Sequence, residues 1–482
     1  MALNLVRNSR VFFTTNVDTY GVVQTSGFTA ANTQELQVLD GFTFTQATNQ
    51  DTITVSEAGS APIRGQRSFN TSLAPVDFSM STYIRPANAG TSITAEEAVL
   101  WNALLGVNAI STANTLTIAA SGVTAAYAFA AGVGTVTLTG TFTTTSLAIG
   151  DAVIISGLSH ATDASILNSA GVIKTLTGSS ITIELTNPKA AGAAITAITA
   201  AGPVKLYKSA WAPVATTYSY VSSAGSNFNQ LQKFGMIFIV DSVTYVVDNC
   251  ALNQAVIDFG LDGIATVAWS GMGTALSDKS ATIGLAAALN TLTATGGGAQ
   301  YTARNLTAPF ITNKLSTVSL SLVNAIGSAA AGTAYAIALT GGSITINNNI
   351  AYITPANLGV VNVPFTYYTA TRAITGTMSA YMKTGTGVQS TGQLLADMLA
   401  AASSSTEPMA TLSIAIGGAS NATKVVIDMP SAVFSIPTID VQAVVSTTIN
   451  FTAEGSTPSA TANGNTFALD KNNDIAIRYF SA

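Results

Sequence analysis

Gly296-Gly-Gly298, Asp470-Lys-Asn-Asn-Asp474, His160, Cys250 and the carboxylates Asp258, Asp262 and Asp440 are the side chains and turns whose types could do chemistry. A phosphate-cradling loop needs Lys-Ser or Lys-Thr after its glycines, between a strand and a helix, and the glycine triplet has neither. Asp470, Asn472 and Asp474 imitate the first, third and fifth ligands of a calcium loop. Ile475 then stands where the sharp-turn glycine belongs and Ser481 where the bidentate Glu belongs, so a polar turn is the reading. His160, in Gly157-Leu-Ser-His160, has no evident carboxylate or cysteine partner and reads as a surface histidine. Cys250, after Asp248-Asn249, reads as a small apolar filler. Asp258-Phe-Gly-Leu-Asp262 and Asp440 suit either an acidic face or loop ends. One His and one Cys in the chain leave no His/Cys metal cluster, no internal disulfide and no histidine to spare for a nucleophile-base pair. The expectation is a non-enzymatic protein with no catalytic residue, metal or cofactor.

Those residues sit in an unusual background. The 482 residues correspond to roughly three domains at ~150 residues each. Eighteen Lys+Arg against 23 Asp+Glu give a net charge of −5, and charged residues make up 9% where about 25% is usual. A surface built largely of Thr, Ser, Asn, Ala and Gly implies that much of it ends against other protein. An acidic, Lys-poor chain also argues against nucleic acid as a tightly bound partner, because phosphate binding needs clustered Lys and Arg. Mean hydropathy is +0.42, and the run from Trp101 to Gly150 carries no charge. Thr, Ser and Gly interrupt that run every two or three positions, so it reads as strands rather than as ~20 continuous apolar residues. An outer-membrane barrel or a secreted adhesin is the rival reading, since its strands also alternate. The start Met1-Ala-Leu-Asn-Leu-Val-Arg-Asn8 lacks the pattern of a signal peptide, and no membrane partner is expected.

The elements that must position any site follow period two. Val76, Phe78, Met80, Thr82 and Ile84 alternate with Asp77, Ser79, Ser81, Tyr83 and Arg85, and an Asn-rich turn divides Ile344 to Ile353. The class is mainly β, with two marked helices. Thr94-Ala-Glu-Glu97 and Ser390-Thr-Gly-Gln393 both read as capping boxes ahead of apolar stripes, Val99, Leu100, Ala103, Leu104 and Leu394, Leu395, Met398, Leu399. Met80-Ser-Thr-Tyr-Ile-Arg85 and its helix match Met378-Ser-Ala-Tyr-Met-Lys383 and its helix. Further on, Val246-Val-Asp248 and a strand ending at Trp269-Ser-Gly-Met-Gly273 match Val426-Ile-Asp428 and a strand ending near Phe451-Thr-Ala-Glu-Gly455. One β fold used twice explains four features recurring in order. Met80 to Asp248 spans 168 residues and Met378 to Asp428 only 50, which places about 118 extra residues after the first helix. Strand signals at 115–118, 135–138, 152–155 and 180–184 make a separate small β domain within that excess. The expected organisation is a discontinuous first fold, 1–110 plus 209–275; an inserted β domain, 111–208, projecting outward; a linker, 276–305; and a second fold, 306–482.

Several strings then point to a family. Asn8-Ser-Arg-Val-Phe-Phe13, Glu35-Leu-Gln-Val-Leu-Asp40, Glu57-Ala-Gly59 with Arg64-Gly-Gln-Arg-Ser-Phe-Asn70 and Phe78-Ser-Met-Ser-Thr-Tyr-Ile84 are four of them. Leu252-Asn-Gln-Ala255, Trp269-Ser-Gly271, Ile311-Thr-Asn-Lys-Leu315 and Gly341-Gly-Ser-Ile-Thr-Ile-Asn-Asn-Asn-Ile350 are the others. Together they resemble a tailed-bacteriophage tail tube protein, of the type that carries its tube fold twice in one chain. The resemblance covers both halves outside the insert. It implies two tandem tail-tube β-barrel or sandwich folds, each with one short helix, in a structural virion protein assembled in the host cytoplasm. Such a protein stacks rings around a lumen through which the genome passes, beside other tail proteins. Three chains then make a ring of six similar folds, with six chains per ring as the alternative. The insert departs from that pattern, and no further immunoglobulin-like domain is evident at the C-terminus.

The residues agree with this on their own terms. An open sheet edge is a liability unless another chain pairs with it, and an acidic bore repels phosphates instead of gripping them. Asp258, Asp262 and Asp440, beside the long strands of each half, are the candidate lumen-facing carboxylates. The stretch Glu35 to Gly59, taken as two strands around Asn49-Gln50-Asp51, suits an arm that reaches a neighbouring subunit.

Overall fold

The computed structural model describes residues 9–29, 31–39, 41–53, 67–89, 92–105, 115–119, 122–130, 133–142, 152–168, 170–185, 195–208, 215–219, 231–261, 263–283, 289, 310–322, 325–327, 329–330, 333–335, 337–383, 390–401, 408–417, 424–440, 444–454 and 474–480. It is mainly β, as the period-two pattern requires. The first part holds strands β1 (Ser9–Thr14), β2 (Thr33–Leu36), β3 (Thr43–Ile53), β4 (Arg67–Tyr83), β5 (Pro86–Ala89) and β6 (Ser92–Ala95), then helix α1 (Ala98–Leu105). Next come β7 (Thr115–Ile118), β8 (Val123–Ala130), β9 (Val133–Gly140), β10 (Ala152–Ser159), helix α2 (Ala164–Leu167), β11 (Ala170–Leu176), β12 (Ser180–Leu185) and β13 (Thr199–Lys208). They are followed by β14 (Ala215–Ser219), β15 (Phe234–Val240), β16 (Val243–Gly260), β17 (Thr266–Gly273) and β18 (Ala275–Asp278). The last part holds β19 (Thr317–Leu322), β20 (Ala334–Tyr335), β21 (Ala338–Asn347), β22 (Ile350–Ile353), β23 (Thr366–Thr369) and β24 (Ala373–Tyr381). Helix α3 (Thr391–Ala401), β25 (Met409–Gly417), β26 (Lys424–Phe434), β27 (Thr438–Asp440), β28 (Ser446–Ala453) and β29 (Ala476–Phe480) complete it.

Two series of strands pair in the same order. One runs β2-β1-β15-β16-β17-β4-β3 and the other β20-β19-β25-β26-β28-β24-β21. Met80 faces Trp269 in the first as Met378 faces Ile449 in the second. The β15–β16 ladder slips by a bulge between Phe234 and Met236, and the β25–β26 ladder between Ala410 and Leu412. These anchors correct the expected match of Asp248 with Asp428. Met236 faces Val247 and Leu412 faces Met429, so Asp248 corresponds to Pro430 and Asp428 to Val246, two residues out of step. Their contacts differ accordingly. Asp248 accepts the Val23 N–H at 2.9 Å, whereas buried Asp428 takes the Ser413 hydroxyl at 2.7 Å and pairs with Arg478 of β29.

Strand β16 turns the chain from one layer to the next. Its first half lies between β15 and β18, and its second half between β17 and β21. Asn249, at the bulge, has a positive φ of 46°, the left-handed conformation that Asn tolerates better than most residues. One core runs through both series, with Phe78, Met80, Trp269, Ile257, Ile344, Met378 and Phe451 meeting Leu100, Trp101 and Leu104 of α1 and Leu394 and Met398 of α3. Trp101 stands edge-on to Trp269 at 4.6 Å, a favourable arrangement of ring quadrupoles.

Ser390 caps α3, its Oγ accepting the Gln393 N–H at 3.4 Å, while Gln393 reaches forward to Asp397. Thr94 lies in β6, paired with Ala87, and not at the start of α1. The α1 turn closes on the Glu97 carbonyl, which accepts from Leu100 and Trp101. Asn49-Gln50-Asp51 is no turn, because β3 continues through it, paired with β4 across a bulge between Asn49 and Gln50. Residues 276–278, expected in the linker, belong to β18, and the glycine triplet lies outside the described residues. Strands β7–β13 form a seven-stranded sheet of their own, and its core, with Val136, Leu138, Ile155, Ile173, Ile183 and Leu206, is separate from the main one.

Candidate functional site

A continuous antiparallel ribbon of eight strands, β3-β4-β17-β16-β21-β24-β28-β27, crosses both series. Successive residues of a strand point to opposite faces, and paired residues share a face. One face enters the core. The other carries Thr43, Thr45, Ser79, Ser81, Ser270, Thr266, Ser343, Thr345, Thr375, Thr377, Asn450 and Thr452. Hydroxyls pair across strands at matching places, Thr43 with Ser79 at 2.8 Å and Ser343 with Thr377 at 3.2 Å.

Asp258 and Asp440, proposed from sequence, both lie exposed on this face, and they occupy equivalent positions. Asp258 faces Thr266 of β17 as Asp440 faces Ser446 of β28, each as the last pair of its ladder. Asp262 lies outside the described residues. Asp77 is a third carboxylate on the same face, opposite Met272 and Thr45. Its alternation with Val76 and Phe78 marked it as outward, and only the pairing of β4 with β17 places it on the same face as the other two, toward the opposite end of β17 from Asp258. Over the stretches 43–46, 76–83, 254–260, 266–273, 341–347, 373–381, 438–440 and 446–453 the ribbon carries these three Asp and no Lys, Arg, His or Glu, while the outer part of the β3–β4 pair, 48–53 with 67–73, adds Asp51 and Arg67. An uncharged hydroxyl surface with sparse carboxylates repels anions weakly and offers no phosphate contact.

The remaining candidates stand apart. His160 has a carboxylate after all, the Asp163 Oδ2 3.3 Å from its Nδ1, and Nδ1 accepts the Asp163 N–H at 3.1 Å, closing a turn ahead of α2. Cys250 is fully buried and its thiol is pushed well up by burial, which keeps it an unreactive filler. Asp474 pairs with Arg372, and Asp470 lies outside the described residues. Among the described residues no three His, Cys, Asp or Glu side chains gather to hold a metal, and no helix is long and apolar enough to cross a membrane. The Glu97 carboxyl is buried between α1 and β29, where it accepts the Tyr479 hydroxyl, and Tyr479 in turn accepts Trp101 Nε1 at 2.7 Å. Burial pushes Glu97 up to about 8 despite those bonds, so it is neutral at pH 7 and structural in role.

No protein-family model matches the sequence. The chain is 25% identical over 391 residues to "Tail tube protein pb6" of Escherichia phage T5, covering 79% of this chain. It spans 58% of that protein's length. The resemblance read from the short strings thus stands: over most of its length the chain is similar to a bacteriophage tail tube protein.

Proposed function

We propose that the chain is a structural, non-enzymatic virion protein that polymerises into stacked rings forming a phage tail tube, a conduit for genome passage into the host. The observation that carries this reading is the eight-stranded ribbon, with a core behind it and a hydroxyl face whose charges among the described residues, apart from Asp51 and Arg67 on the outer part of the β3–β4 pair, are Asp77, Asp258 and Asp440. In the ring that face lines the lumen, together with Asp262, and DNA slides past because the ribbon inside that outer part holds no cation to exchange for its counterions. The two strand series are two tail-tube folds, so three chains supply the six folds of a ring, and a closed rotation prevents lateral growth. The insert, 111–208, stands on the outside, consistent with its separate core.

Apolar groups at opposite rims of the ribbon favour stacking. One rim exposes Leu261, Phe310 and Tyr381, and the other exposes Leu358, Val360, Val361 and Phe365. Two different apolar patches on opposite ends make a head-to-tail contact, which propagates without limit along an axis. Negative-stain microscopy of the purified protein tests the reading. Tubes of uniform bore are expected, and a chain that stays monomeric under all conditions overturns it. The symmetry of those tubes, or the mass of isolated rings, decides between three chains and six.

A further inference from the structure

The ribbon has two ends, β3 and β27. Each has one strand beside it, β4 and β28 respectively, and among the described residues no strand on its other side. The middle of the ribbon contains the junction where the first series meets the second, β16 against β21, and it supplies the geometry for joining the ends.

The equivalences follow from the Met80–Met378 match. Phe44 faces Phe78 on β4 as Ile344 faces Gly376 on β24, and Phe78 and Gly376 each stand two residues before the matched methionine. Phe44 therefore corresponds to Ile344. Ile439 faces Thr447 as Ile257 faces Val267, each two residues before the partner of the matched methionine. Ile439 therefore corresponds to Ile257. Inside the chain Ile257 pairs with Ile344, and Ile257 is 0% exposed while Ile439, on the same kind of strand, is 51% exposed. What covers Ile257 and is missing over Ile439 is the adjoining strand. Side-chain bonds support the internal junction as well, with Asn348 Nδ2 donating to the Leu104 carbonyl at 2.7 Å and Tyr352 Oη to the Asn249 carbonyl at 2.7 Å.

Resting on the tube reading, we infer that β3 of a second copy of this chain pairs antiparallel with β27, repeating the β16–β21 junction. Its register places Thr45 opposite Thr438, Phe44 opposite Ile439 and Thr43 opposite Asp440. The contact is heterologous, because β27 of one copy meets β3 of the next and each copy still offers its other end. It buries Ile439 under Phe44 on the core side and continues the hydroxyl face across the joint. Neither edge carries a Lys, a Pro or an inward charge to discourage pairing.

Cysteine cross-linking of the whole chain tests the register. Thr45→Cys with Thr438→Cys, oxidised after assembly, is expected to give chain-to-chain disulfides and a ladder that ends at the ring's chain number. Buried Cys250 does not compete. The pair Thr43→Cys with Thr438→Cys, two residues out of register, places its Cβ atoms about 7–8 Å apart and is expected to cross-link at least about tenfold less, beyond disulfide reach. A second variant, Ile439→Glu, is expected to leave a folded monomer, because the side chain is half exposed there, and to abolish tubes, because the ring would bury the charge. Tubes that form without the in-register cross-link, or that form from Ile439→Glu, overturn this register and leave the tube reading intact. Failure of the unmodified chain to form any tube overturns both.

Discussion

Glu97 shows how a single carboxyl ties the fold's two ends to solution conditions. The folded state holds its proton to about pH 8, while an unfolded glutamate releases it near 4.5, so between those values the folded chain binds the extra proton. Stability is therefore expected to fall as pH rises from about 4.5 to about 8, by on the order of 3–5 kcal/mol at full ionisation of a group this deeply buried. Glu97→Gln keeps the acceptor for Tyr479 and removes the titration. Melting temperatures at pH 5, 7 and 8.5 are expected to decline less in Glu97→Gln than in the unmodified chain, and equal slopes would discard this account. The composition shows that Glu97 exists but not that Tyr479, 382 residues on, closes over it. Asp163 beside His160 was legible in principle, three residues along, yet a turn had to form before the two could meet.

Among the strands, glycines opposite phenylalanines matter more than propensity. Gly271 faces Phe78 and Gly376 faces Phe451, and by the register these are the same two positions with glycine and phenylalanine exchanged. A Cβ on Gly376 would lie 2.2 Å from the Phe451 ring, and one on Gly271 2.4 Å from the Phe78 ring. Gly376→Ala is expected to lower stability by about 1–3 kcal/mol, read from the urea midpoint. Adding Phe451→Leu should recover part of that loss, since the clash is with the ring. A strictly additive double variant would show that the ring is not the obstacle. Matching residue types alone misaligned Asp248 with Asp428, because Val246-Val-Asp248 and Val426-Ile-Asp428 stand two positions out of step on corresponding strands.

For the whole molecule, the insert and the bore give separate expectations. Replacing Ser111 to Lys208 with a short Gly/Ser bridge is expected to leave tubes intact under the microscope, because the insert's sheet and core are self-contained. A folded monomer that no longer assembles would assign the insert to ring contacts. Asp77→Lys with Asp258→Lys is expected to leave assembly unchanged and to make tubes retain DNA in a co-sedimentation assay at low salt. Retention should decline steeply as salt rises, by the release of about one counterion per added phosphate contact. Tubes of this variant that ignore DNA would place the hydroxyl face away from the bore.

The sequence by itself determined the β class, the inward positions of β4, the α3 cap and the resemblance to tail tube proteins, because alternation, caps and short strings are properties of neighbouring residues. Val76, Phe78 and Met80 could be assigned inward from their spacing alone, and all three are buried. Only the tertiary structure decided that Asp77 joins Asp258 and Asp440, that Thr94 belongs to a strand and that β16 receives β21. Pairing between strands tens to hundreds of residues apart is set by which hydrophobic faces can be buried together and by bulges that shift the ladder. None of that leaves a local mark, so a carboxylate's face could be read from its own strand while its neighbours could not.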